Sequence, residues 1–438
     1  MATLTAPEGA AATVPAGMNP HFRRLLRASS VSMLGSHVTT IAYPLLVLRL
    51  TSSPFEAGWI AFAALAPSIL VYVPAGALVD RWDPWRAMLA SEVGRGVAIA
   101  AVAVTVGIGV PSVPLLTAAA VVEGILEVFS ALAERRWVGS LVRRDEVPSA
   151  LVRIEARNHV VLVAGRPLGG LLFGIEPILP FLADVASFAY SVTALARIKQ
   201  WWSSGARAEV APGPTSRTRL GNDIWNGLCR LREDRFACLV IILFSVGTFI
   251  FQALIMIFLA DAHAQKLSAL VIGIVLAASG IGGALGSVAA SRLLRRVRYP
   301  WIRLQAFVWF LGFAVLALQA GRHVLPMALV MAILGFTGAL GNIELDTHLM
   351  RNVEKDMLAR VTSIGRLVAL VACAIGPVFG GILSQEFGVQ GAMTGLFLIT
   401  AALPVLSFVA SSTAEPRGHS VDRQETAMPD TTIPVGES

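Results

Sequence analysis

Apolar runs of roughly 20 residues recur along the chain from about residue 29 to 411, broken by short polar segments. That is the length needed to cross a hydrocarbon core. Read in order, the runs predict membrane-spanning helices near 29–49, 56–79, 87–107, 113–133, 158–175, 178–198, 237–260, 269–290, 302–320, 325–347, 364–385 and 389–411. Two or three such runs fit the core of a soluble protein. A dozen do not, and the predicted class is an all-α membrane protein.

Composition supports this. With 55% hydrophobic and 14% charged residues and a mean hydropathy of +0.69, the chain has too little polar surface to cover a soluble globule. A net charge of +7 in a soluble protein would point to nucleic acid, but here the basic residues alternate by loop. One set of connections carries Arg23, Arg24 and Arg27, then Arg81 and Arg86, then Arg135, Arg136, Arg143, Arg144, Arg153 and Arg157; later members run from Arg197 to Arg235, Arg292 to Arg303 and Arg351 to Arg366. The intervening loops hold Arg49, Lys266 and Arg322. This positive-inside pattern predicts an even number of spans with both termini cytoplasmic, and the basicity reads as topology, not as a nucleic-acid footprint. Cys229, Cys238 and Cys373 show no disulfide or metal-ligand spacing. The first twenty residues lack the basic and apolar regions of a signal peptide.

The longest internal polar stretch, 199–236, divides the chain. Ser203, Ser204, Gly205, Pro212, Gly213 and Pro214 are linker chemistry, while Ile224, Trp225, Leu228 and Leu231 have the spacing of an amphipathic helix at a membrane surface. The predicted organisation is a cytoplasmic tail (1–28), a six-helix bundle (29–198), this linker, a second six-helix bundle (237–411) and a disordered cytoplasmic tail (412–438). An offset of 211 residues lays one half on the other. Gly165, Gly169 and Gly170 fall on Gly376, Gly380 and Gly381; Val142-Arg143-Arg144-Asp145 falls on Val353-Glu354-Lys355-Asp356; Arg81 falls on Arg292. Two similar bundles related by an axis along the membrane normal suit a substrate site at mid-depth and alternating access.

Gly76-Ala-Leu-Val-Asp80-Arg81-Trp-Asp83-Pro-Trp-Arg86 follows the second span. It resembles the signature loop of the major facilitator superfamily. The resemblance implies a cytoplasmic gate in which Gly76 permits close helix contact, Asp80 meets a helix terminus of the other half and Arg81 and Arg86 pair with acidic groups. Pro84 and Trp85 replace the usual basic pair, so a weakened gate is expected. Phe22-Arg23-Arg24-Leu25, Ser32-Met33-Leu34-Gly35, the stretch from Pro44 to Thr51, Asp184-Val-Ala-Ser187-Phe188, Asn342 to Thr347, Arg360-Val361 and Arg366 are similar to the branch of enterobactin exporters, macrolide-efflux proteins and transmembrane secretion effectors. That likeness implies a multi-pass protein of the bacterial cytoplasmic membrane, acting as a monomer. In this branch an aspartate usually follows the span-one glycine, where this chain has Ser36 and His37. His37 is a candidate replacement proton carrier because imidazole titrates near neutrality; hydrogen-bonded packing is the alternative.

Ionisable groups inside a bilayer are costly and so mark function. Glu123 and Glu127 lie one helical turn apart, on one face, where two carboxylates resist being ionised together. They are expected to couple protons or recognise a cation, or else to pair with Arg95 or Arg166. Glu92 and Arg95, at i and i+3, read as a structural pair, and Arg166 needs either a partner or an anionic ligand. Gln252, Asn342, Glu344 and Asp346 are candidates for a polar cavity wall. The Gly376-Pro377-Val-Phe-Gly380-Gly381 motif, its counterpart at Gly165, Gly169 and Gly170, and Gly282 with Gly286 read as close helix packing. In exporters of this superfamily a similar glycine–proline motif in span five is associated with antiport; here the intact copy is in span eleven, and the span-five copy has Arg166 in the proline position with Pro167 one residue on.

The function expected is proton-driven efflux of a small amphipathic compound: a drug, a siderophore or another secondary metabolite. Uptake of a nutrient and a non-transporting receptor or scaffold are the alternatives. The chain has no phosphate-binding Gly-x-x-x-x-Gly-Lys-Ser/Thr loop, so an ion gradient and not ATP is the expected energy source, with no cofactor or metal. No zinc-protease motif or nucleophile elbow lies in a span, which argues against an intramembrane enzyme.

Overall fold

The computed structural model describes residues 20–79, 81–142, 147–202, 235–296, 301–319, 324–352 and 355–405. Asp80, Arg143, Arg144 and the interdomain segment with its predicted amphipathic helix lie outside the described residues, as do both tails. The elements are α1 (Pro20–Thr51), α2 (Pro54–Val79), α3 (Pro84–Gly107), α4 (Val113–Leu141), α5 (Val147–Ile175), α6 (Leu179–Trp202), α7 (Arg235–Ala264), α8 (Ala269–Arg296), α9 (Trp301–Gln319), α10 (Val324–Asn352) and α11 (Lys355–Thr400). Among the described residues, nine stretches are long and apolar enough to cross a membrane, and Val163–Ile175 and Phe307–Leu316 are shorter apolar helices.

The last apolar stretch, Leu367–Val405, is too long for one crossing. Gly388, with φ 66° and ψ 174°, breaks it. Such a backbone angle suits glycine, which has no Cβ to clash. Gly395 packs against Leu383, although a straight helix would hold residues that far apart in sequence about 18 Å from each other. The two arms of α11 therefore fold back on one another, which makes twelve helical rods among the described residues.

We call the end of the bundle that carries the α1–α2 turn the turn face and the end where α1 starts the tail face. At the tail face, Phe22, Leu25, Val79, Trp85, Met88, Trp137, Leu141, Leu195 and Ile198 form a core private to α1–α6. Trp85 explains the unusual gate loop. Asp83 caps α3 by accepting the Trp85 N–H at 2.9 Å, Pro84 occupies the first helical turn, and the Trp85 indole donates to the Leu195 carbonyl at 3.0 Å. Pro fits there because the first helical N–H groups have no partner anyway. Arg136 of α4 donates to the carbonyls of Val79 and Trp82, satisfying acceptors that the end of α2 leaves open.

The glycine motifs join the halves in two equivalent ways. Gly169 of α5 meets Val38 of α1, and Gly170 meets Ala269 and Gly273 of α8. Their counterparts in α11, Gly380 and Gly381, meet Ala253 of α7 and Pro54 of α2. Each triplet thus clamps its own first helix and the second helix of the other half. These contacts match α5 to α11 at an offset of 211 but α1 and α2 to α7 and α8 at 215. In that register Arg81 corresponds to Arg296, not to Arg292, because about one helical turn is gained between the second and fifth helices. At the turn face Ser53 Oγ donates to Gln385 Oε1 at 2.9 Å across the seam. Near the tail face the space around Gly76 is open, and Arg81, Arg86 and Arg292 are exposed.

Candidate functional site

Between the halves lies a cavity of about 140 Å³. Its lining follows helical periodicity. The wall takes Ser36, Thr39, Thr40 and Tyr43 from α1, Ala120, Glu123, Gly124 and Glu127 from α4, and Gln252, Ile255, Met256 and Leu259 from α7. Each set repeats the i, i+3, i+4, i+7 spacing that keeps residues on one helix face. Ile41 and Pro44 of α1, off that stripe, Ile60, Ala61, Ala64 and Leu65 of α2, Arg166 of α5 and Pro377 of α11 complete it.

Behind the α1–α4 wall, Arg95 of α3 is buried among carboxylates. Its guanidinium nitrogens lie 3.9 Å from Glu92, 3.8 Å from Glu123 and 3.9 Å from Glu127. One nitrogen donates to Ser36 Oγ at 2.7 Å, and the guanidinium sits 4.8 Å from the centre of the Phe188 ring. The Glu92–Arg95 pair expected from spacing is thus one arm of a wider hub: Glu92 also accepts from Ser130 Oγ at 2.9 Å. Glu123 is buried and accepts from the Tyr43 hydroxyl at 3.5 Å, whereas the Glu127 side chain is 59% exposed.

Asp184 of α6 adds a fourth carboxylate. It is fully buried and accepts from Thr39 Oγ1 at 2.9 Å and Ser187 Oγ at 3.0 Å. It fits there because Gly35 leaves no side chain between α1 and α6. Around the position where the branch usually carries aspartate, this chain therefore sets Ser36 on Arg95 and brings Asp184 in from another helix. Glu92, Glu123 and Glu127 thus lie within 4 Å of one guanidinium, with the buried Asp184 as a further acidic group beside α1.

His37 does not line the cavity. Thr40, Ile41 and Pro44 on its own face of α1 do line the cavity, but at the level of His37 the side chain packs against Gly165 of α5. Asn342 and Glu344 also lie outside the lining, near the tail-face end of α10, and the side chain of Asp346 lies outside the described residues. Gln252 lines the cavity at the α7 position equivalent to His37. Arg166 lines it too, with no carboxylate within 4 Å among the described residues, and its buried Nε has no hydrogen-bond partner. Gly282 and Gly286 lie against the backbone of Ala332 and Phe336 in α10, and Gly376 against Phe249 and Gln252 of α7.

Two related sets of helices around a mostly apolar cavity that carries a few charged groups are the architecture of a secondary transporter. The profile of the Major Facilitator Superfamily matches residues 25–364, with a further match over 237–434. The chain belongs to that superfamily, and it is a multi-pass membrane transporter, not an enzyme. It is 24% identical over 404 residues to the uncharacterized MFS-type transporter y4rN of Sinorhizobium fredii, covering 91% of this chain and 95% of that protein. It is likewise 24% identical over 404 residues to the multidrug efflux pump Tap of Mycobacterium tuberculosis, covering 87% and 90%. Among solved structures, a bacterial homologue of the iron transporter ferroportin superposes with a TM-score of 0.69 at 15% identity, covering 90% of this chain and 98% of that one. The nucleoside transporter NupG gives 0.67 at 13%, covering 91% and 100%. At these identities the structural likeness speaks to fold alone.

Proposed function

We propose that the protein is a proton-coupled exporter of small amphipathic compounds that works by alternating access, with the tail face on the cytoplasmic side of a bacterial inner membrane. The observation that carries this reading is the junction of Glu123 with Arg95. Glu123 stands on the cavity wall within reach of a substrate, yet its carboxylate is 3.8 Å from a guanidinium shared with Glu92, Glu127 and Ser36. A proton on Glu123 removes one counter-charge from Arg95, and its departure restores it. A basic group of a substrate beside Glu123 and Glu127 offsets the same charge, so substrate and proton compete for one place. Competition of that kind is antiport, provided that each favours a different orientation of the halves. The open space at Gly76 and the seam at Ser53 and Gln385 suit a cavity reached from the tail face. The family likeness to a multidrug efflux pump is consistent with amphipathic cargo.

The test uses purified protein in proteoliposomes with an imposed pH gradient, an internal pH dye and a panel of amphipathic fluorescent compounds. Compound movement that dissipates the gradient is expected, and its direction separates export from uptake. Glu123→Gln should lower coupled flux by about tenfold or more, within the range set by loss of a positioned proton carrier. Glu127→Gln should weaken it less, because that side chain is already exposed. Both variants should insert normally. Unchanged flux and unchanged pH dependence in both would remove the carboxylates from the mechanism; no movement of any compound would count against transport of this class.

A further inference from the structure

What sets the half-buried Arg166 apart from Arg95 and Arg157 is the lack of a nearby carboxylate among the described residues, since the Nε of Arg95 likewise meets no acceptor. Arg95 has three carboxylates around it, and Arg157 has Glu134 at 2.7 Å. Arg166 reaches the cavity with no carboxylate within 4 Å among the described residues, and its buried Nε meets no acceptor. Removing a guanidinium from water without a counter-charge is expensive, so the arrangement implies that something else supplies one.

Packing does not require an arginine here. In the second copy of the same glycine framework the equivalent position is Pro377, which lines the same cavity from α11. Gly376 and Gly380 hold that copy against α7, as Gly165 and Gly169 hold α5 against α1. The seam is therefore built equally well with an apolar residue, and Arg166 adds charge to the cavity without adding to the fold. Around it, Gln252 offers an amide, while Glu123 and Glu127 place negative charge on the α4 wall. Ile60, Leu65, Ile255 and Met256 supply apolar surface between them. A cavity with a guanidinium, carboxylates and apolar walls fits a compound that carries an acid and a base on one apolar body.

Building on the proposed transport function, we propose that Arg166 binds an anionic group of the cargo and that the preferred cargo is amphoteric, with its basic group held at Glu123 and Glu127. Guanidinium pairs with a carboxylate or a phosphonate through two parallel N–H donors, the strongest geometry available to it. As a residue of the cavity wall, Arg166 can turn its two terminal nitrogens to an anion there.

The test measures binding of two probes to the full-length chain in lipid nanodiscs: a cationic rhodamine ester and the matching free acid, a zwitterion. The wild type is expected to bind the acid more tightly. Arg166→Gln should weaken acid binding by about tenfold or more, as expected for loss of a charge-assisted contact, while ester binding stays within about twofold. A second measurement stands if that variant does not fold. In the wild type, the acid should slow phenylglyoxal modification of Arg166, read by mass spectrometry, and the ester should not. Equal affinity for the two probes in wild type and variant, or equal protection by both, overturns the role of Arg166 and leaves the transport reading intact. A wild type that binds neither probe overturns both.

Discussion

Arg95 donates to Ser36 at 2.7 Å, while the carboxylates around it stay at 3.8 Å or beyond. A neutral hydroxyl thus makes the short contact, and the acidic groups share the charge at longer range. Replacing Ser36 with aspartate would put a carboxylate where the hydroxyl now sits and form a direct ion pair. We expect Ser36→Asp to restore coupled flux to the Glu123→Gln variant, at least in part, because the hub regains an ionisable partner on the cavity wall. Proteoliposome flux of the single and double variants checks this as a double-mutant cycle; additive losses would show that the two positions act separately.

Removing Arg95 should be worse than removing any one of its partners. Arg95→Met leaves Glu92, Glu123 and Asp184 buried with no cation, and breaking a buried pair from one side typically costs roughly 3–5 kcal/mol. A large drop in the melting temperature of the purified protein is expected, with a much smaller drop for Arg95→Lys. Glu92→Gln should be mild, since Ser130 can still donate to the amide oxygen. Equal melting temperatures for Arg95→Met and Glu92→Gln would mean that the guanidinium does not hold the cluster.

Much of this arrangement is visible in local pattern, and the rest depends on partners far along the chain. Apolar run length predicts the rods, and a separation of one turn puts Glu123 and Glu127 on the same face. Local pattern marks Asp184 only as part of a family-like motif and does not place it at the site, because its partner Thr39 is 145 positions away. It cannot separate His37 from Ser36 either: His37 is kept from the cavity by packing against Gly165 of α5. Asn342 and Glu344 show a different limit, since periodicity gives the face of a residue but not the depth to which a cavity extends. The repeat offset of 211 captures α5 and α11 and misses the first two helices of each half, where the register is 215.

Closure at the turn face should depend on Gly381. A side chain there would meet the Pro54 carbonyl and the Phe55 backbone, and backbone cannot yield as a flexible side chain does. Gly381→Val is expected to pry the turn face open while leaving α1–α6 intact. Cysteines placed at positions 53 and 385, where Ser53 and Gln385 now share a hydrogen bond, report on the seam in a background lacking the natural cysteines. Their crosslinking should fall several-fold in Gly381→Val; undiminished crosslinking would show that the halves tolerate the extra methyl groups and that the glycine is not needed for closure.

The tail-face half of the first bundle contains its own buried ion pair. Arg157 of α5 reaches Glu134 of α4 at 2.7 Å, and both also contact Ser29 of α1. The pair ties three helices together. Its side chains are 9% and 12% exposed, so losing one partner strands a charge. Glu134→Leu or Arg157→Leu alone should destabilise the protein by roughly 3–5 kcal/mol, whereas the double replacement, which leaves no charge behind, should recover most of that loss. Thermal unfolding of the two singles and the double decides the matter: a double variant as unstable as the sum of the singles would mean that the hydrogen bonds to Ser29, and not charge compensation between the pair, hold α1, α4 and α5 together.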